Sequence, residues 1–92
     1  MTSHEHIEEI EAIVRRYPPS GNESALQSIR SHLFALRCES SDGNVGGKLS
    51  AIESSAGIYF SDRKHQKYPG GGEEVRSWIL ADCSQLKALL DD

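Results

Sequence analysis

A chain of 92 residues with 37% hydrophobic and 26% charged residues is one domain's worth of globular protein. It can bury roughly 60–65% of its unfolded surface, enough for a small core but not for a deep active site plus a separate binding domain. The net charge of −4 and a pI near 5.5 argue against a dedicated nucleic-acid binder with a wholly basic surface.

The first periodic segment runs over about 3–17. Ile7, Ile10, Val14 and Tyr17 recur at spacings of three and four, one face of a helix, and Ile13 widens the stripe. Thr2 and Glu5 have capping-box spacing, with Ser3 as an alternative cap. Pro18 and Pro19 stop the helix, because proline lacks the amide donor and restricts the residue before it. The second segment covers about 22–38, with Leu26, Ile29, Leu33 and Leu36 as its stripe. Ser20 with Glu23 has capping-box spacing, and Asn22 is an alternative cap. Phe34 falls off the stripe and is expected to broaden the buried face. The run Glu39 to Asn44 is a turn by composition.

The third segment, about 45–60, carries Val45, Leu49, Ile52, Ala56 and Tyr59 at helical spacing. Gly46, Gly47 and Gly57 weaken it, since each costs about 1 kcal/mol against alanine inside a helix. Gly46 and Gly47 are candidates to lie outside it. Gly57 either lets another backbone approach or ends the helix, leaving Ile58-Tyr59-Phe60 extended. Residues 61–72 then read as a long loop, and long ordered loops are where function concentrates. The last helix spans about 73–90. Glu73 and Glu74 suit the positive end of its dipole, and Val75, Trp78, Ile79, Cys83, Leu86, Leu89 and Leu90 supply its apolar face. Four amphipathic helices joined by short loops at 18–21 and 39–44 predict an all-α fold, a compact antiparallel bundle of about four short helices forming one domain.

No apolar run exceeds four residues, which leaves no membrane span or signal-peptide core and gives a cytoplasmic address as the expectation. Catalytic signatures are absent. The serines form no Gly-x-Ser-x-Gly elbow, and the carboxylate pairs Glu8-Glu9, Glu73-Glu74 and Asp91-Asp92 are adjacent and read as solvated. His4 and His6 with Glu5, Glu8 and Glu9 offer at most two ligands on one helix face, short of a zinc site, so no metal and no cofactor is expected. Cys38 and Cys83 read as free thiols, one or both packed as small hydrophobes, with a disulfide between them as an alternative. The segment that stands apart is 59–68. Tyr59, Phe60, Arg63, Lys64, His65, Lys67 and Tyr68 fall within ten residues, basic and aromatic on an otherwise acidic chain. Such residues supply anchors and charge complementarity to a protein partner, or donors and stacking faces for phosphate and bases. Gly70 to Gly72 match neither a Walker A loop nor a dinucleotide fingerprint.

Ile58-Tyr59-Phe60, a polar stretch, Pro69-Gly70-Gly71 and Glu74-Val75-Arg76-Ser77-Trp78 together resemble the four-helix immunity proteins of nuclease bacteriocins. The resemblance covers roughly a quarter of the chain. It implies a small, acidic, cytoplasmic, all-helical inhibitor that binds and blocks a toxic nuclease domain. Tyr59 and Phe60 then match the toxin-contacting aromatic pair, and Trp78 the core tryptophan. Here Ala56-Gly57 stand where the family has a carboxylate, Ser61 replaces its proline after the aromatics, the third helix is longer, and the following loop is basic where the family's is acidic.

The leading expectation is therefore a protein–protein interaction module, immunity-like, with Tyr59, Phe60 and Tyr68 as anchors and Arg63, Lys64, His65 and Lys67 as the charged complement. Glu5, Glu8, Glu9 and Glu11 offer an alternative, acidic face. A nucleic-acid or phosphate-binding module using the same loop, and a homodimer completing its core by association, are the competing expectations.

Overall fold

The computed structural model describes residues 1–90, so the Asp91-Asp92 pair lies outside the described residues. Among the described residues, four α-helices account for most of the length: α1 (Ser3–Arg16), α2 (Glu23–Glu39), α3 (Gly43–Tyr59) and α4 (Gly71–Leu89), with a 3₁₀ turn, Lys64–Lys67, between the last two. Each helix packs on its sequence neighbours, and α4 closes the ring on α1. The result is an all-α bundle measuring 35 × 23 × 17 Å. Among the described residues no helix is long and apolar enough to cross a membrane.

Local chemistry accounts for the boundaries. Thr2 and Glu5 form the expected reciprocal box: Thr2 Oγ1 accepts from the Glu5 amide at 3.1 Å, and Glu5 Oε1 from the Thr2 amide at 2.8 Å. Tyr17 turns extended, as a residue before proline must. Of the two candidate caps for α2, Asn22 serves, accepting from the Ala25 amide at 3.1 Å. α3 is longer at its start than its glycines suggested. Asp42 caps it, accepting from the amides of Asn44 (2.7 Å) and Val45 (3.3 Å), and the helix runs through Gly46, Gly47 and Gly57 to Tyr59. Neither glycine near its start lies outside it, and Ile58 and Tyr59 are helical rather than extended.

α4 begins at Gly71, earlier than the expected Glu73. Two glycines make that start. Gly71 has φ +62°, which L side chains rarely adopt, and a Cβ on Gly72 would collide with the ring of Pro19. The proline pair that ends α1 thus also seats the start of α4.

The core contains Ile7, Ile10 and Val14 from α1, Leu26, Ile29, Leu33 and Leu36 from α2, Val45, Leu49, Ile52 and Ala56 from α3, and Val75, Ile79, Cys83 and Leu86 from α4. These are the stripes the periodicity predicts. Burying each large aliphatic side chain contributes about 1.5–3 kcal/mol. Two expectations fail. Phe34 is 68% exposed and does not extend the buried face of α2, and Leu89 is 48% exposed. Phe34 follows Leu33, which points fully inward, and the next residue along a helix is turned by about 100°. The α1–α4 seam is fastened by Lys87 Nζ to buried Glu11 Oε1 at 2.9 Å and by His4 Nε2, which lies 3.0 and 2.8 Å from the Lys87 and Leu90 carbonyls at the end of α4.

Candidate functional site

The connection from α3 to α4 is built rather than loose. Ser61 Oγ donates to the Ile58 carbonyl at 2.5 Å and accepts from the Lys64 amide at 3.0 Å, which fixes the entry to the 3₁₀ turn. The Gln66 amide donates to the Arg63 carbonyl at 3.0 Å, and the Gly71 amide to the Tyr68 carbonyl at 2.9 Å. The exit is held by the Gly70 amide donating to Glu74 Oε2 at 3.1 Å. A segment that reads as a loop from composition is an ordered turn packed on α3 and α4.

The seven residues singled out in the sequence divide by burial. Arg63, Lys64 and Lys67 are exposed, and none forms an ion pair with another described residue. Tyr68 is half-buried, its ring edge-on to Trp78 at 4.9 Å. Tyr59, Phe60 and His65 are buried. Phe60 meets Tyr59 edge-on at 4.8 Å. His65 Nδ1 is buried and has no hydrogen-bond partner among the described residues. Four of the seven side chains therefore offer surface, and the aromatic pair singled out as anchors is packed inside the bundle.

Tyr59 has a different job. Its ring is wholly buried and its hydroxyl lies 2.7 Å from the Tyr17 carbonyl and 3.2 Å from that of Val14, at the end of α1. It accepts from Arg76 Nη2 (2.6 Å) and Nε (3.0 Å). Arg76 Nε also reaches the Val14 carbonyl at 3.2 Å, and Nη1 pairs with Glu73 at 2.7 and 2.9 Å. A helix end leaves its last carbonyls without partners. Here a phenol from α3 and a guanidinium from α4 satisfy them, with the cation at the negative end of the α1 dipole. Burial pushes the Tyr59 phenol above its ordinary value of 10.0, against a smaller lowering by the hydrogen bond and charge of Arg76. Sequence reasoning missed Arg76. Its only signal was a basic residue one turn into α4, and nothing local says that it reaches α1.

An open groove of about 810 Å³ lies between α2 and α3. Leu26, Gly57, Ile58 and Phe60 line it, with Arg30 and Lys64 among its polar residues. Lys64 thus belongs both to the basic turn and to the groove.

Elsewhere, His6 and His32 join α1 to α2 with their Nδ1 atoms 2.9 Å apart, so one donates and the other accepts. Burial and the neighbouring His6 hold the His32 imidazole below the usual histidine value, against a weaker opposing pull from Glu9. Both cysteines are free: Cys38 is exposed, and Cys83 is buried with its thiol pushed up to about 12, mainly by desolvation. Such a thiol is almost entirely protonated at neutral pH. No group of three or more His, Cys, Asp or Glu side chains among the described residues is placed to hold a metal ion.

Compared with known proteins, the chain matches no family model, no curated protein and no solved structure.

Proposed function

We propose that this protein is a protein–protein interaction module that works in the cytoplasm by binding rather than catalysis, most concretely an immunity-like inhibitor engaging one protein partner stoichiometrically. The observation that carries this reading is the 3₁₀ turn. Three cations, Arg63, Lys64 and Lys67, stand exposed and without an ion pair among the described residues, on a hydrogen-bonded segment of a chain whose net charge is −4. A cation held on a rigid segment loses less freedom on binding than one on a mobile loop. The complement is an acidic protein surface, which such charges would steer and orient.

The aromatic contribution falls to half-exposed Tyr68 on Trp78, while Tyr59 supports the face from within. The local resemblance to the immunity proteins supports the inhibitor form of the reading. The basic turn makes the target surface acidic, which differs from the nuclease surface the resemblance implies.

The test is purification of the tagged protein from its native cells, followed by calorimetric titration of the isolated partner. The expected result is a 1:1 complex that the double substitution Arg63→Glu/Lys67→Glu weakens at least tenfold without loss of helix content. Unchanged affinity refutes the assignment of the face. Binding to nucleic acid that falls steeply with salt, through counterion release, favours the phosphate-binding alternative instead. Self-association without a foreign partner favours the homodimer.

A further inference from the structure

The seam between α1 and α2 contains a contact that tolerates only some charge states. His6 and His32 face each other with Nδ1 atoms 2.9 Å apart and ring centroids 5.2 Å apart. At that distance one Nδ1 carries a proton and the other accepts it. A first added proton suits this arrangement. It goes to Nε2 of the donating ring, and the resulting imidazolium donates a stronger, charge-assisted bond. A second has to occupy the accepting Nδ1. Two N–H groups then meet head-on, and two cations share one contact between half-buried rings. Burial and the charge of His6 oppose a proton on His32, each more strongly than Glu9, one turn after His6, favours it. Arg16 is a further charged side chain of the adjoining crevice. α3 packs on α2 and α4 on α1, and neither brings a charge that acts on His32 among the described residues. His4 is built differently: its Nε2 faces the Lys87 and Leu90 carbonyls, so it remains a donor in either charge state.

We propose that His6 and His32 form an acid-sensitive latch between α1 and α2, shut while the pair holds at most one added proton and opened by the second. The rings have space to part, because a crevice of about 370 Å³ already lies between the two helices beside His32, with Ile13 and Ala25 in its lining. α1 has other moorings. Lys87 ties Glu11 to α4 at 2.9 Å, and Arg76 and Tyr59 hold the carbonyls at its far end. Separation of the imidazoles therefore parts α1 from α2 while α1 stays on α4. The latch does not depend on the binding-module reading above. Histidine is the side chain whose ordinary value places such a change between about pH 5 and 8.

Amide hydrogen exchange of the full-length chain at about pH 7.5 and about pH 5.5, corrected for the intrinsic pH dependence of exchange, tests this. The expected result is that protection across 4–10 and 29–36 falls at least tenfold at the lower pH, while 75–86 on α4 keeps its protection. His6→Gln and His32→Gln each leave an amide that bonds the remaining ring and takes no proton, so both variants should stay protected at both pH values. Imidazole nitrogen shifts of the wild-type chain give a second readout that needs no variant. The pair should titrate in two separate steps, the second coinciding with the loss of protection. Unchanged wild-type protection overturns the latch, as does an equal loss in the wild type and both variants. Loss spread evenly over all four helices, or titration of both rings in one step, overturns it as well.

Discussion

Replacing Tyr59 by phenylalanine isolates the bond network that ties three helices together. The ring, its edge contact with Phe60 and its place 5.5 Å beneath the Arg76 guanidinium all survive, so the change reports the hydroxyl alone. That oxygen has one proton to give and two lone pairs. The proton goes to the Tyr17 carbonyl at 2.7 Å, and the lone pairs take Arg76 at 2.6 and 3.0 Å. Without it the Tyr17 carbonyl keeps only the 3.4 Å contact with Arg76 Nη2, while Arg76 retains Glu73 and the Val14 carbonyl. One neutral hydrogen bond at about 1 kcal/mol and two to a charged group at about 1.5–3 kcal/mol each would overstate the loss, because the three bonds share one oxygen and are not additive. The Arg76 side chain is 23% exposed, so water can re-solvate part of it. The expected destabilisation is about 2–3 kcal/mol. For a domain of this size it corresponds to a drop in Tm of roughly 10–20 °C. Urea unfolding followed by circular dichroism measures it. A cycle with Arg76→Met should give a coupling energy of about 1–2 kcal/mol. A Tyr59→Phe protein within 0.5 kcal/mol of wild type, or strict additivity in the cycle, would refute the idea that phenol and guanidinium jointly cap α1.

Further expectations concern glycines, the exposed aromatic and pH. Gly47→Ala should raise stability by about 0.5–1 kcal/mol, since its Cβ meets open space in a helix, whereas Gly72→Ala should lower it because the methyl group enters the Pro19 ring; thermal melts of the two should move in opposite directions. Phe34→Ser should stay within about 0.5 kcal/mol of wild type, while Leu33→Ala beside it should cost about 2–5 kcal/mol, and equal losses in denaturant titrations would contradict the assigned faces of α2. His32 binds its proton less readily in the folded chain than in the unfolded one, where its value is near 6.5. Its contribution to stability is therefore fully present above about pH 6.5 and is lost as the pH falls through the folded value. His32→Gln should flatten the urea midpoint between pH 7.5 and 5.5, and an unchanged slope would remove the His6–His32 pair from the account.

The helices were legible because burial obeys a period of 3.6: Ile7-Ile10-Val14 and Leu26-Ile29-Leu33-Leu36 all point where the spacing places them. The start of α3 was not, because propensity penalises Gly46 and Gly47 locally, whereas the Asp42 cap and the burial of Val45 and Leu49 decide the outcome globally. Phe34 shows the reverse error, since hydrophobicity alone does not say that a side chain points inward. At the candidate site, the clustering of Arg63, Lys64 and Lys67 was visible, and their exposure follows from charge. The inward position of Tyr59 was not visible, because its partners, Tyr17 and Arg76, lie 42 and 17 residues away in sequence. The His6–His32 pair escaped for the same reason: 26 residues separate them, and only the α1–α2 packing brings them together.

The central claim is that exposed charge on the 3₁₀ turn binds one acidic protein. Native mass spectrometry of the protein gently purified from its own cells tests this most directly. The expected spectrum shows one added mass, a single protein in 1:1 ratio to the chain, that disappears when Arg63 and Lys67 are both changed to glutamate. A spectrum containing only the free 10.1 kDa chain, a nucleic-acid adduct, or a complex indifferent to those two charges would contradict it.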